Sequence, residues 1–199
     1  ITLPDGTRVW LNSASRLSYD NRYNLRSREV NLVGEGYFEG AKDPERRFRV
    51  NTGNYTVEAL GTAFNVKSYP EDRTSVTTLF ERIDDGDGFT TTLDPMEAVA
   101  YDTADGGFTK SVSGRTQFAG LWRNNELIVE SGTTLEKLTE LLDREYNIRF
   151  EFRSERIRHL RFEGIIKNNN LQNVLQLIGL SGEVSYTIED NTVVLDEKR

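Results

Sequence analysis

Apolar residues alternate through the first half of the chain. Val9 and Leu11 in TRVWLN, Val30 and Leu32 in EVNLV, Phe48 and Val50 in RFRVN, and Tyr55, Val57 and Ala59 in YTVEA each fall on one side of a period-two repeat. Such alternation predicts strands with one buried face. Turn-forming runs separate them: Pro4-Asp5-Gly6, Asp43-Pro44, Asn51-Thr52-Gly53-Asn54, Asp84-Asp85-Gly86-Asp87-Gly88 and Asp94-Pro95. No helical stripe interrupts residues 1–101. In NYTVEALGTAFNVKSY the apolar parity moves from odd (Tyr55, Val57, Ala59) to even (Phe64, Val66) across Leu60-Gly61. One inserted residue flips every later side chain, so Gly61 is expected to bend one long strand. Many short strands with close turns predict an all-β antiparallel N-terminal domain over residues 1–104, a roll or solenoid-like sandwich.

Periodicity then lapses. Residues 105–120, within DTADGGFTKSVSGRTQFAG, are rich in Gly, Ser, Thr and Asp and read as a linker. From residue 121 the pattern is mixed. LIVE is a short apolar strand. SGTTLEKLTELLDREY carries a helical stripe, Leu135, Leu138, Leu142 and Tyr146, with Leu141 beside it, and Thr133 with Glu136 fits a capping box. IRFEF and LRFEGIIK read as strands. In NLQNVLQLIGL, Leu171, Val174, Leu175 and Ile178 give a second stripe, with Asn170 as N-cap and Gly179 or Gly182 as the stop. VSYTIED and NTVVLD close the chain as a hairpin. The order βαβ-βαββ predicts a small α+β domain with two helices over residues 121–199.

Composition narrows the function. The 199 residues are 36% hydrophobic with a net charge of −7, which suits a packed core and gives no electrostatic reason to bind nucleic acid. Residues 71–106 hold ten acids and only Arg73 and Arg82 as bases, a solvated acidic rim. No apolar run is long enough to span a membrane. The chain opens in mid-pattern with ITLPDGTRVWL and is expected to be part of a longer protein. The absence of cysteine excludes thiol catalysis, disulfides and cysteine-ligated metal.

GEGYFEG at 34–40 looks most like chemistry. Its third glycine comes one place too late for a dinucleotide fingerprint, and AKDPERRFRV leads to a strand rather than a helix. Glu35 and Glu39 share a strand face about 13 Å apart, too far for a glycosidase pair. DDGDG at 84–88 lacks the spacing of a calcium loop and reads as a hairpin turn. His159, alone of its kind, falls between strands as a solvated loop residue. Trp10 and Trp122 are expected to fill a core or a domain seam. No catalytic constellation and no cofactor or metal site emerges. What remains is strand edges and amphipathic helices, which suit binding.

The runs LPDGTRVWLNSASRLSY (3–19), REVNLVGEGYFEGAKDPERRFRVNTGNYTVEALGTAFNVKSY (28–69), TTLFE (77–81) and LDPMEAVAY (93–101) resemble the FecR domain of transmembrane anti-sigma factors. WRNNELIVE and LEKLTELLDREYNI resemble its C-terminal domain, similar to the short secretin/TonB N-terminal (STN) signalling module. Gly34, Glu35, Tyr37, Phe38, Gly61, Thr62, Phe64 and Trp122 carry this signature. Gly36, Gly40, Arg82 and Ile83 depart from it.

The resemblance implies a non-enzymatic, periplasmic portion of a single-pass inner-membrane protein. It would take a signal from the periplasmic module of a TonB-dependent outer-membrane transducer, tuned to iron carriers or glycans. The signal would pass to an extracytoplasmic-function sigma factor through a cytoplasmic segment and membrane helix not contained in this chain. The transducer is expected on an exposed strand edge, Leu127, Ile128 and Val129 of LIVE or Thr192, Val193, Val194 and Leu195 of TVVLD. Two rival readings stay open at this stage. A carbohydrate-binding β-module of the cell envelope would need exposed coplanar aromatics. A carboxylate hydrolase would need raised acid pKa values in a cleft.

Overall fold

The alternating residues of the first half form eleven strands: β1 (Arg8–Leu11), β2 (Arg16–Ser18), β3 (Arg28–Glu39), β4 (Phe48–Asn51), β5 (Thr56–Ala59), β6 (Ala63–Ser68), β7 (Thr74–Thr78), β8 (Arg82–Asp84), β9 (Thr90–Thr92), β10 (Glu97–Asp102) and β11 (Phe108–Val112). The second half adds β12 (Glu126–Thr134), α1 (Leu135–Tyr146), β13 (Arg149–Phe152), α2 (Glu155–Arg158), β14 (Arg161–Lys167), α3 (Leu171–Leu180), β15 (Val184–Glu189) and β16 (Thr192–Glu197). The computed structural model describes residues 1–61, 63–78, 82–84, 90–93, 97–112, 118–167 and 170–198. Thr62, the Asp94-Pro95 turn and most of DDGDG lie outside the described residues. Packing divides the chain into two units between Gly120 and Leu121.

In the first unit β3 belongs to two ladders. Its opening residues pair with β2 and β4, and the path continues through β5 and β8 to β9. Its closing residues, 34–39, pair with β1 and β6, and the path continues through β7 and β10 to β11. Val30, Leu32, Phe48, Val50 and Val57 from the first ladder and Phe38, Phe64, Val66 and Val99 from the second meet in one hydrophobic core. Phe38 stacks on Phe64 with ring centroids 5.0 Å apart, and Phe48 packs 5.7 Å from Phe38.

Three expectations change here. The unit is not wholly antiparallel, because β3 and β4 run parallel from Arg28↔Phe48 to Asn31↔Asn51. Gly61 does not bulge one long strand. It separates β5 in the first ladder from β6 in the second, at φ +117°, where a Cβ would lie 2.8 Å from the Lys42 Cα. The parity change therefore marks a passage between ladders. The presumed linker also contains structure: Phe108–Val112 pairs with β10, with Phe108 packed 4.9 Å from Tyr101.

The second unit has the expected order with one added turn of helix, α2. Leu135, Leu138 and Leu142 of α1, Val174, Leu175 and Ile178 of α3, and Val184, Val193 and Leu195 of the sheet share its core. Strands β12 and β14 form a two-stranded antiparallel sheet. Strands β13, β16 and β15 form a three-stranded sheet in that spatial order, with β13 parallel to β16. Asn170 caps α3 as expected, its side chain accepting from the Asn173 N–H at 2.9 Å.

The cap of α1 is shifted by one residue. Thr133 and Thr134 still pair with Phe162 and Arg161 in the β12–β14 ladder, so the helix starts only at Leu135. Thr134 Oγ1 then accepts from the Lys137 N–H at 3.2 Å. Thr134→Ala is expected to lower stability by about 1 kcal/mol and Thr133→Ala by much less, read from denaturant midpoints.

Candidate functional site

Residues 34–39 of GEGYFEG are the closing half of β3, and Gly40 lies just beyond it. Its first glycine sits where the strand passes between ladders, at φ +101°, and a Cβ there would lie 2.4 Å from Ser15 Oγ and 2.7 Å from Ser15 Cα. Only glycine admits this close approach of the β1–β2 connection. The Ser15 hydroxyl accepts from the Glu35 N–H at 2.8 Å. Glu35 Oε2 accepts from Asn12 Nδ2 at 2.8 Å, and Oε1 from Asn65 Nδ2 at 2.9 Å. This carboxylate ties a loop to two strands. Glu39 instead pairs with Arg8 across the β1–β3 ladder. The two acids thus have separate partners and separate structural roles. Phe38 fills the core, while Tyr37, on the other face, lies edge-on to Trp10 at 6.0 Å. Phe64 is buried in β6, and Trp122 is half-buried in a 3-10 turn, Leu121–Asn124.

Sequence reasoning missed the most heavily invested polar site. Arg28 is 1% exposed. Its Nε donates to Asp5 Oδ2 at 2.8 Å, and its terminal nitrogens donate to the carbonyls of Ala41 at 2.7 Å and Arg46 at 2.9 Å. The guanidinium also lies 5.7 Å from the Phe48 ring centroid. Asp5 accepts in addition from the Thr7 N–H at 2.9 Å and the Thr7 hydroxyl at 2.8 Å. Burial alone would raise the Asp5 pKa. The Thr7 and Arg28 hydrogen bonds outweigh it and hold the carboxyl below its ordinary value. Burial, together with the Asp5 charge, pushes the neighbouring Tyr23 phenol well above its ordinary value. The Tyr23 hydroxyl makes no hydrogen bond of regular geometry. LPDG is therefore the seat of a counterion. The usable signal was an arginine at a core-parity position of β3, in register with Val30 and Leu32.

The strands proposed for partner binding differ in what they can offer. TVVLD cannot add a strand. Thr192–Glu197 is the middle of its sheet, paired on both sides, with Val193 and Leu195 fully buried and Val194 5% exposed. Among the described residues LIVE is paired on one side only, to β14, with Leu127 and Ile128 half-buried and Val129 buried. Its ladder breaks between Val129 and Thr133.

A second edge was not foreseen. Among the described residues strand β13 pairs only with β16, and an open cavity of about 460 Å³ lies between it and α1. Helix α1 lines the cavity with Glu136, Thr139, Glu140 and Asp143, the i, i+3, i+4, i+7 stripe next to its buried leucines. Phe150, Glu151 and Phe152 supply the opposite wall. Arg158 completes the lining, 4.4 Å from the Phe152 ring centroid and 2.8 Å from Glu136. His159 is exposed at the end of α2, 3.7 Å from Glu155. Among the described residues no cluster of three or more His, Cys, Asp or Glu could hold a metal, and no helix is long and apolar enough to cross a membrane.

Two family models match the chain in order: the FecR protein model over residues 1–83 and the FecR C-terminal model over residues 128–195. The chain belongs to the FecR family. FecR proteins are regulatory anti-sigma factors rather than enzymes, and the family is membrane-anchored with a periplasmic region. Two crystal structures of a proposed anti-sigma factor from Parabacteroides distasonis ATCC 8503, at 1.65 and 2.50 Å resolution, are similar to this chain. Each has 27% identity and a TM-score of 0.84 and covers 100% of this chain, which corresponds to 94% and 93% of theirs. No curated protein matches the sequence. In this chain the signature residues Gly34, Glu35, Tyr37, Phe38 and Phe64 build β3 and its neighbour β6.

Proposed function

We propose that this chain is the periplasmic, signal-receiving part of an anti-sigma factor. It takes its signal from the periplasmic module of a TonB-dependent outer-membrane transducer. It passes that signal, through a membrane helix and a cytoplasmic segment, to an extracytoplasmic-function sigma factor. The observation that carries this reading is the two FecR models in tandem, FecR and FecR C-terminal, on one chain. The structure supports a binding role: the buried charges Arg28, Asp5 and Glu35 of the first unit are committed to structural partners, and among the described residues the second unit has unpaired strand edges. Strand addition at such an edge joins main-chain hydrogen bonds to side-chain selectivity. Leu127, Ile128 and Val129 of β12 remain one candidate edge.

The test is co-purification. The tagged chain is expected to retain the periplasmic signalling module of the transducer encoded beside it, with saturable binding in titration. If purified modules from the neighbouring transducers all pass through unretained, the relay reading is wrong.

A further inference from the structure

We infer that the groove between α1 and the free edge of β13 is the docking site for an extended, basic segment of the partner. This inference rests on the relay reading for the partner's origin and on the groove itself for its chemistry. The geometry comes first. Adjacent side chains on a strand point to opposite faces. Phe150, Glu151 and Phe152 all line the cavity, so it reaches the backbone edge of β13 and not one face alone. On its other side β13 is fully engaged, in parallel register from Arg149↔Thr192 to Phe152↔Leu195. A fourth strand laid along the open edge would meet unpaired main-chain groups over about four residues, roughly 13 Å of chain.

Charge selects the occupant. Glu136, Glu140, Asp143 and Glu151 line the groove against a single cation among the described lining residues, Arg158. That arginine is already held by Glu136 at 2.8 Å and by Glu155 at 2.9 Å. Lys137 answers Glu140 at 2.7 Å. Asp143 and Glu151 are exposed and make no ion pair or side-chain hydrogen bond among the described residues. They lie on the two walls, one on α1 and one on β13. An added strand projects side chains alternately to either face, so cations on one face would meet Asp143 and Glu140, and cations on the other would meet Glu151. Half-buried Phe150 and Phe152 give the aliphatic stems of lysine or arginine an apolar wall to lie on. An acidic segment would meet like charge at Glu140 and Asp143 on the α1 wall, while on the β13 wall exposed Arg149 and Arg153 flank Glu151. The β12 edge has no comparable cavity among those described, and its ladder is broken.

The probe is a capped pentapeptide alternating lysine or arginine with valine, with a glutamate-for-cation peptide as control. Titrated into the whole chain and followed by amide chemical shifts, the basic peptide is expected to perturb residues 149–152 and 136–143. The glutamate peptide should perturb neither. The Asp143→Lys/Glu151→Lys double variant should bind the basic peptide at least tenfold more weakly with an unchanged melting temperature, and added salt should weaken binding to the wild-type chain. Equal affinity for the double variant, or perturbation centred on 126–134 or 184–189 instead, would overturn the assignment. The same variant in the transducer co-purification separates the two readings. Loss of retention supports the groove. Undiminished retention rejects the groove and leaves the relay standing. A wild-type chain that retains no module removes the relay, while the peptide titration still judges the groove.

Discussion

Arg28→Ala is expected to lower the unfolding free energy by about 3–5 kcal/mol, because it leaves the Asp5 carboxylate and two backbone carbonyls buried without their donor. In thermal unfolding this is a fall in Tm of roughly 10 °C or more. The guanidinium is 1% exposed, so water cannot replace it without opening the core beside Phe48. The same pair predicts a pH dependence. The Asp5 carboxyl has its pKa depressed in the folded state, so its contribution is present above the unfolded value and is lost as pH falls through the folded one. Acid unfolding of the wild-type chain should therefore include a component that Asp5→Asn abolishes, at the cost of lower stability near neutrality. If Arg28→Ala unfolds at the wild-type denaturant concentration, the pair contributes nothing and the LPDG turn has another role.

Gly34→Ala is the second large effect. Two penalties coincide at this position. The backbone sits at φ +101°, and the new Cβ would overlap the Ser15 main chain at 2.7 Å. Backbone strain of about 1–3 kcal/mol and overpacking of about 1–3 kcal/mol give a loss of roughly 2–6 kcal/mol. Gly53→Ala separates the two. Gly53 has φ +90° and nothing within 4 Å of its added Cβ, so it should lose only the strain portion. Denaturant unfolding of both variants checks the difference. Equal losses would mean that the Ser15 loop gives way freely, and that the close approach at GEGYFEG is not what requires glycine.

Much of the fold was legible because burial follows the repeat. Val30, Leu32, Phe48 and Val50 are all buried where period two placed them. The leucine stripe of α1 and the Asn170 cap likewise follow from helical spacing and a short polar side chain. What escaped lacked a periodic apolar signal. FTKSV forms β11 with one half-buried residue and four exposed ones, so nothing in its pattern distinguished it from a linker. Arg28 escaped because a buried charge is stabilised by partners 13 to 23 residues away, Ala41, Arg46 and Asp5. TVVLD was misplaced at an edge although three consecutive apolar residues are what a strand covered on both faces requires. The groove at β13 needed the topology, since RFEF on its own does not say which side of the strand is left unpaired. Glu136 read only as half of a capping box, and Glu140 and Asp143 carried no signal until β13 lay beside them.

The position of β16 has a consequence for how the protein comes into being. The last strand to be synthesised in the second unit is the one the other two need. Until residues 192–197 leave the ribosome, β13 and β15 have no shared neighbour, and the hydrophobic layer under α1 and α3 lacks Val193 and Leu195. A nascent or clipped chain lacking those residues would show two orphan strands to proteases and chaperones rather than a slightly shortened domain. The C-terminal segment therefore works as a completeness check: the second unit closes only when the message that encodes it has been read through β16.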